Sequence, residues 1–165
     1  MQKTIYVRDE DLPLFEKAEK LGSVSQVIRD ALAAYVEREE RRQAGFETIE
    51  LEVGRREREG AWNDTRTITF EGRLLAQHRA NATRNTRGTD VAIYQGPTGR
   101  FLVWWSHWSL WQGAVITSDY AILDRLPEFE EEIQGRCGST VIIPGPVLEA
   151  ARAQAGLPKA ERLDI

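Results

Sequence analysis

Between Val24 and Val36, the apolar residues Val24, Val27, Ile28, Ala31, Leu32, Tyr35 and Val36 recur without a gap at the three- and four-residue spacing of one helix face. A stripe that continuous has to be covered by something. Gly22 stops whatever precedes it. Ser23-Val24-Ser25-Gln26 has the pattern of a capping box, in which the Ser23 hydroxyl takes one free backbone N–H and Gln26 reaches back for another. The helix predicted here runs out in Glu37-Arg38-Glu39-Glu40-Arg41-Arg42, an exposed charged end leading to Gly45.

Upstream, Lys3 to Arg8 reads Lys-Thr-Ile-Tyr-Val-Arg, with Ile5 and Val7 alternating against Thr4, Tyr6 and Arg8, the pattern of a short half-buried strand. Asp9, Glu10 and Asp11 then set carboxylates at the positive end of a following helix. Pro13 suits its first turn, and Leu14, Phe15, Ala18 and Leu21 form its apolar stripe. One strand and two helices within residues 1–44 are too little chain to close a core without a staple or a partner. The single cysteine, Cys137, rules out an internal disulfide and a multi-cysteine zinc site, which fits a reducing compartment. A second copy removes the difficulty. Two strands pair antiparallel, and the helices bury a dimer core of Ile5, Val7, Phe15, Val27, Ile28, Ala31, Leu32 and Tyr35.

In this order of elements, residues 2–42 resemble the ribbon-helix-helix module of bacterial and plasmid repressors and antitoxins. The run Gly22-Ser23-Val24-Ser25-Gln26-Val27-Ile28-Arg29-Asp30-Ala31-Leu32 is similar to that family's second-helix pattern. The resemblance implies a homodimer that lays a two-stranded ribbon in the major groove of double-stranded DNA. Gln2, Thr4 and Tyr6, outward by alternation, match the base-contacting positions. Gln2 suits adenine and Thr4 a thymine methyl, whereas Tyr6 is bulkier than the usual polar residue there. Lys3 and Arg8, at the ribbon ends, and Ser23, Val24 and Ser25, at a helix N-terminus, are the expected phosphate contacts.

The chain has 165 residues and a formal net charge of −4, which argues against indiscriminate binding of nucleic acid. Charge is unevenly placed: residues 1–44 carry 8 basic and 9 acidic side chains, and residues 55–100 carry 9 and 5. Residues 45–165 read as a second, mainly antiparallel β domain with two short C-terminal helices, making the expected class α+β overall. Strands are predicted at 46–53, 66–70, 90–94, 100–106 and 139–143, and helices at 127–134 and 146–155. Gln95-Gly96-Pro97-Thr98-Gly99 should be a hairpin turn, with loops at 54–64 and at 80–88, the latter carrying Arg84 and Arg87. Trp104, Trp105, Trp108 and Trp111 form a dense aromatic run whose alternation implies a strand buried on both faces. Packing is the first use for such a run, and an aromatic pocket for a small-molecule effector is the second.

His78 and His107 are too few for a metal site. Glu128, Glu130, Glu131 and Glu132 read as a solvated helix face. No nucleophile, base and acid set and no cofactor loop emerges, so neither enzymatic activity nor a cofactor is expected. No apolar run is long enough for a bilayer and no leader precedes the strand, which points to the cytoplasm. Glu161-Arg162-Leu163-Asp164-Ile165 ends the chain with two apolar residues, suggesting a docked tail. That ending, with Lys3-Thr4-Ile5-Tyr6-Val7 and Leu12-Pro13-Leu14-Phe15-Glu16-Lys17-Ala18, resembles the uncharacterised bacterial EXLDI family, which implies no further role. The expectation is a dimeric transcriptional regulator. An antitoxin wrapping a toxin protein, or a dimerisation module without DNA affinity, are the alternatives.

Overall fold

The computed structural model describes residues 6–57, 63–81, 86–111 and 115–159. The chain forms two compact units, Met1–Ala44 and Gly45–Ile165. In the first, a single 3-10 turn at Asp9–Asp11 leads into α1 (Leu12–Leu21), and α2 spans Val24–Gln43. Pro13 sits in the first turn of α1, where its missing N–H leaves no helical bond unmade. α2 ends as the amide of Ala44 returns to the Glu40 carbonyl at 2.9 Å, and Gly45 takes φ 81°, a left-handed exit that glycine adopts without strain.

The expected β-α-α order is not what this unit shows. Among the described residues no strand precedes α1: Tyr6–Arg8 is irregular, and Arg8 accepts a turn hydrogen bond from the Asp11 amide at 2.9 Å. Among the described residues of this unit there is no strand for such a segment to pair with, and the turn bond is the local alternative. Gln2, Lys3, Thr4 and Ile5 lie outside the described residues. The capping box is also absent. Ser23 takes the extended N-cap conformation but makes no side-chain cap bond. Gln26 instead donates to Asp30 Oδ1 at 2.9 Å and accepts from Arg29 at 3.2 Å, partners one turn away on its own helix.

The second unit is a meander of five antiparallel strands: β1 (Glu47–Glu57), β2 (Asn63–His78), β3 (Arg87–Gln95), β4 (Phe101–Ser109) and β5 (Val115–Leu123). It closes into a barrel as Gly54–Glu57 pair with Val115–Ser118. An odd ring of antiparallel junctions cannot close with straight strands, because direction alternates from one to the next. The long β2 resolves this by serving different neighbours with its two halves, residues 63–72 against β1 and 73–78 against β3. Glycines permit the bends. Gly54 has φ 118°, and a Cβ there would collide with the Asp64 carbonyl; at Gly72 a Cβ would lie 2.7 Å from the Phe70 ring. The region 54–64, expected as a loop, is strand at 54–57 and 63–64, and Arg87 and Gly88 open β3 instead of lying in a loop.

After β5 come a short hairpin, β6 (Glu132–Gln134) with β7 (Thr140–Ile142), and α3 (Gly145–Gln154). The helix expected at 127–134 is absent. Ile133, the one buried residue of that run, pairs opposite Val141 in the hairpin, which is buried as well. Glu130 accepts from the Gly145 amide at 2.6 Å, satisfying a free donor at the start of α3. One face of β3, β4 and β5, carrying Val91, Ile93, Phe101, Val103, Trp105 and Ala121, packs against Ile133, Val141, Ile143, Val147, Leu148 and Ala151. This face is the core of the unit.

Candidate functional site

The N-terminal unit buries none of its described residues. Phe15, Ala18, Val24, Val27 and Ile28 are half-buried, while Ala31, Leu32, Tyr35 and Val36 continue the same stripe in the open. Leu32 and Tyr35 are each 58% exposed and Leu14 66%, values foreign to residues with this spacing unless another surface covers them. Ahead of α1, Tyr6 is 93% exposed and Val7 is exposed as well. Arg8 pairs with Glu10 at 2.9 Å in the open, a contact a phosphate could exchange because exposed pairs are weak. Ser23 and Ser25 are exposed and Val24 half-buried at the N-terminus of α2, where amides lack helical acceptors.

In the second unit the aromatic run divides between the two faces of β4. Trp105 is fully buried in the core and donates its indole N–H to Ser139 Oγ at 2.9 Å. Trp104 and Trp108 turn the other way. Trp104 donates to the Glu52 carbonyl at 2.9 Å and Trp108 to Asp90 Oδ1 at 3.3 Å, while Asp90 also accepts from the Ala80 amide at 2.8 Å. On that face Ser118 and Ser106 bond hydroxyl to hydroxyl at 3.1 Å. Trp111 is 66% exposed. The four tryptophans therefore do not line one aromatic pocket, because alternation along a strand separates neighbours.

Asp119 is a buried carboxylate at the middle of β5. Its Oδ1 accepts from the amides of Tyr120 at 2.7 Å and Cys137 at 2.8 Å. Its Oδ2 accepts from the Ser139 amide at 2.9 Å and hydroxyl at 3.0 Å. Burial pushes its pKa up, but the amides of Cys137, Ser139 and Tyr120 and the Ser139 hydroxyl outweigh burial, so the carboxyl titrates below the usual range. A Cβ at Gly135 would collide with this carboxylate, so the β6–β7 turn is built around it. Burial raises the Cys137 thiol, and the Asp119 charge and hydrogen bond raise it further, with Arg66 opposing. A thiol held this way stays protonated at neutral pH, which disfavours it as a nucleophile.

His107 lies on the same face as Trp105. Its Nε2 is 2.9 Å from the Thr140 carbonyl, which only accepts, so Nε2 carries a proton, and its Nδ1 is 2.8 Å from the Thr89 hydroxyl, which can donate or accept. Beside it, Arg87, Thr89, Trp108, Val115 and Thr117 help line a cavity of about 480 Å³. A second cavity, about 450 Å³, adjoins α3 at Phe129, Glu149, Arg152 and Leu157. Arg152 is buried there as a clamp, donating to the carbonyls of Leu126, Pro127 and Pro158 at 3.3, 2.8 and 3.0 Å.

Against protein-family models, curated proteins and solved structures, the chain finds no match. Among the described residues no three His, Cys, Asp or Glu side chains are placed to hold a metal ion, and no helix is long and apolar enough to cross a membrane. The tail at 161–165 and Arg84 lie outside the described residues. Sequence reasoning missed Asp119. A lone acid within Val115-Ile116-Thr117-Ser118-Asp119-Tyr120-Ala121-Ile122-Leu123 was the available signal, since a carboxylate inside an apolar strand needs donors.

Proposed function

We propose that the protein is a DNA-binding transcriptional regulator that acts as a homodimer through its N-terminal helical unit, with the barrel unit as a regulatory or assembly domain. One observation carries the reading: the apolar stripe of α2 passes from half-buried Val27 and Ile28 to exposed Leu32, Tyr35 and Val36 without losing its period. A second copy of the same surface covers such a stripe by symmetry. In the dimer the segment before α1, with Tyr6 and Arg8, and the start of α2, with Ser23, Val24 and Ser25, face the duplex. Arg8 and the α2 amides hold phosphates, and Tyr6 and the residues before it read bases. The resemblance to bacterial repressors supports the same assignment.

The test is selection of bound duplexes from a random pool with the full chain, followed by titration of the selected duplex at 50 and 200 mM salt. A symmetric or repeated consensus is expected, with affinity falling roughly a hundredfold or more over that interval. Arg8→Ala should weaken binding to all sequences alike and reduce the salt slope of the dimer by about two, one for each protomer. Absence of any enriched sequence, or binding indifferent to salt, refutes the reading. A stable complex with a toxin protein and no enriched DNA would favour the antitoxin alternative.

A further inference from the structure

The register of the barrel assembles a polar site that packing does not require. Directly opposed residues of antiparallel strands share a face, so Arg55, Thr117, His107 and Thr89 form one row across β1, β5, β4 and β3. Glu57, Val115, Ser109 and Arg87 form the next. The β6–β7 hairpin covers this face as far as the Thr140 carbonyl on His107, and the cavity of about 480 Å³ opens beside that contact. Its size falls within the range of small-molecule sites, about 300–1,000 Å³.

The charges there do not cancel. Arg55 answers Glu57 at 3.3 Å, and both ring nitrogens of His107 are engaged by the Thr89 hydroxyl and the Thr140 carbonyl. Arg87 is exposed and has no ion pair among the described residues. The cavity is left with one guanidinium that has no carboxylate partner among the described residues, the Thr117 hydroxyl, and an apolar wall from the Val115 side chain. A guanidinium presents two parallel N–H groups that match the two oxygens of a carboxylate, and a single cation balances a monoanion better than a phosphate dianion.

We propose that this cavity binds a small organic carboxylate, its two oxygens on Arg87 and its apolar body against Val115. As the effector of a regulator the ligand rests on the function proposed above; as a binding site it does not. The test is calorimetric titration of the full chain, without DNA, using benzoate, benzamide and inorganic phosphate as probes. Benzoate is expected to saturate one site per chain and to bind at least about tenfold more tightly than benzamide, the scale of a charge-assisted pair. Arg87→Gln should lower benzoate affinity by about tenfold or more with the thermal midpoint unchanged. Arg100→Gln, which removes a cation paired with Asp124 away from the cavity, should leave it intact. No benzoate binding, equal binding of benzamide, tighter binding of phosphate, or an unaffected Arg87→Gln each overturns the proposal. Failure of DNA selection leaves this result standing, and the converse holds.

Discussion

Replacing Asp119 by asparagine keeps its shape and removes its charge, and the structure sets the size of the effect. Four N–H and O–H donors converge on the carboxylate, two on each oxygen. A carboxamide has one acceptor oxygen, so its NH2 faces two donors whichever way it turns. Hydrogen bonds to a charged acceptor contribute about 1.5–3 kcal/mol each, so losing two gives about 3–6 kcal/mol, the lower end if the Ser139 hydroxyl rotates to accept. That is a large share of the stability of a typical domain, about 5–15 kcal/mol. All 5 tryptophans lie beyond residue 45, so indole emission during urea unfolding follows the barrel unit alone. With a slope of about 2 kcal/mol per molar, the midpoint should fall by about 1.5–3 M. Acid supplies an independent check. Folding lowers the pKa of Asp119, so its contribution is complete above the ordinary value of about 3.9 and is lost as pH falls through the lower folded value. The gap between wild type and Asp119→Asn should therefore be full at pH 7 and close below about pH 4. A variant within about 1 kcal/mol of wild type at pH 7, or a gap unchanged in acid, would refute the account.

Gly135→Ala should destabilise the same unit by about 2 kcal/mol or more, because the added methyl meets the Asp119 carboxylate; an unchanged urea midpoint would show that the turn has room to shift. Cys137 should react slowly with iodoacetamide near neutral pH, faster in Asp119→Asn and slower in Arg66→Gln, since those charges raise and lower the thiol pKa; rates read by mass spectrometry check the order. Leu32→Asp should convert dimer to monomer and abolish DNA binding without altering tryptophan emission, with sedimentation velocity as the measurement. A variant that stays dimeric places the interface elsewhere.

Local pattern made much of this chain legible. The 3.6-residue period gave both N-terminal helices within a residue or two, and alternation gave the centres of β1 to β4 with the turn at Gly96–Gly99, closed by the Gly96 amide on the Arg100 carbonyl at 2.8 Å. The buried-on-both-faces reading of Phe101–Ser106 follows from the same rule. What stayed illegible depended on partners distant in sequence. β5 was hidden because Asp119 breaks its apolar run, and its carboxylate is tolerable only through amides supplied near residue 137. The run at 127–134 has helix-forming glutamates, yet pairing of Ile133 with Val141 decides its conformation. Tyr6–Arg8 alternates like a strand and adopts a turn, because pairing is a property of two segments. At the cavity, the residues were visible individually, but only the register that sets Thr89, His107 and Thr117 side by side makes them a site.

Four of the five junctions in the barrel join strands adjacent along the chain, and the fifth, Gly54–Glu57 with Val115–Ser118, has to wait for the others. Loop closure over that separation becomes favourable only when the intervening hairpins have shortened the path, so the seam is the natural last event of folding. Substitutions there should accelerate unfolding and leave refolding rates nearly untouched. A chain cut between neighbouring hairpins could therefore reassemble around an intact seam, whereas a defect in the seam leaves an open sheet with two free edges, the form most prone to associate with its own kind.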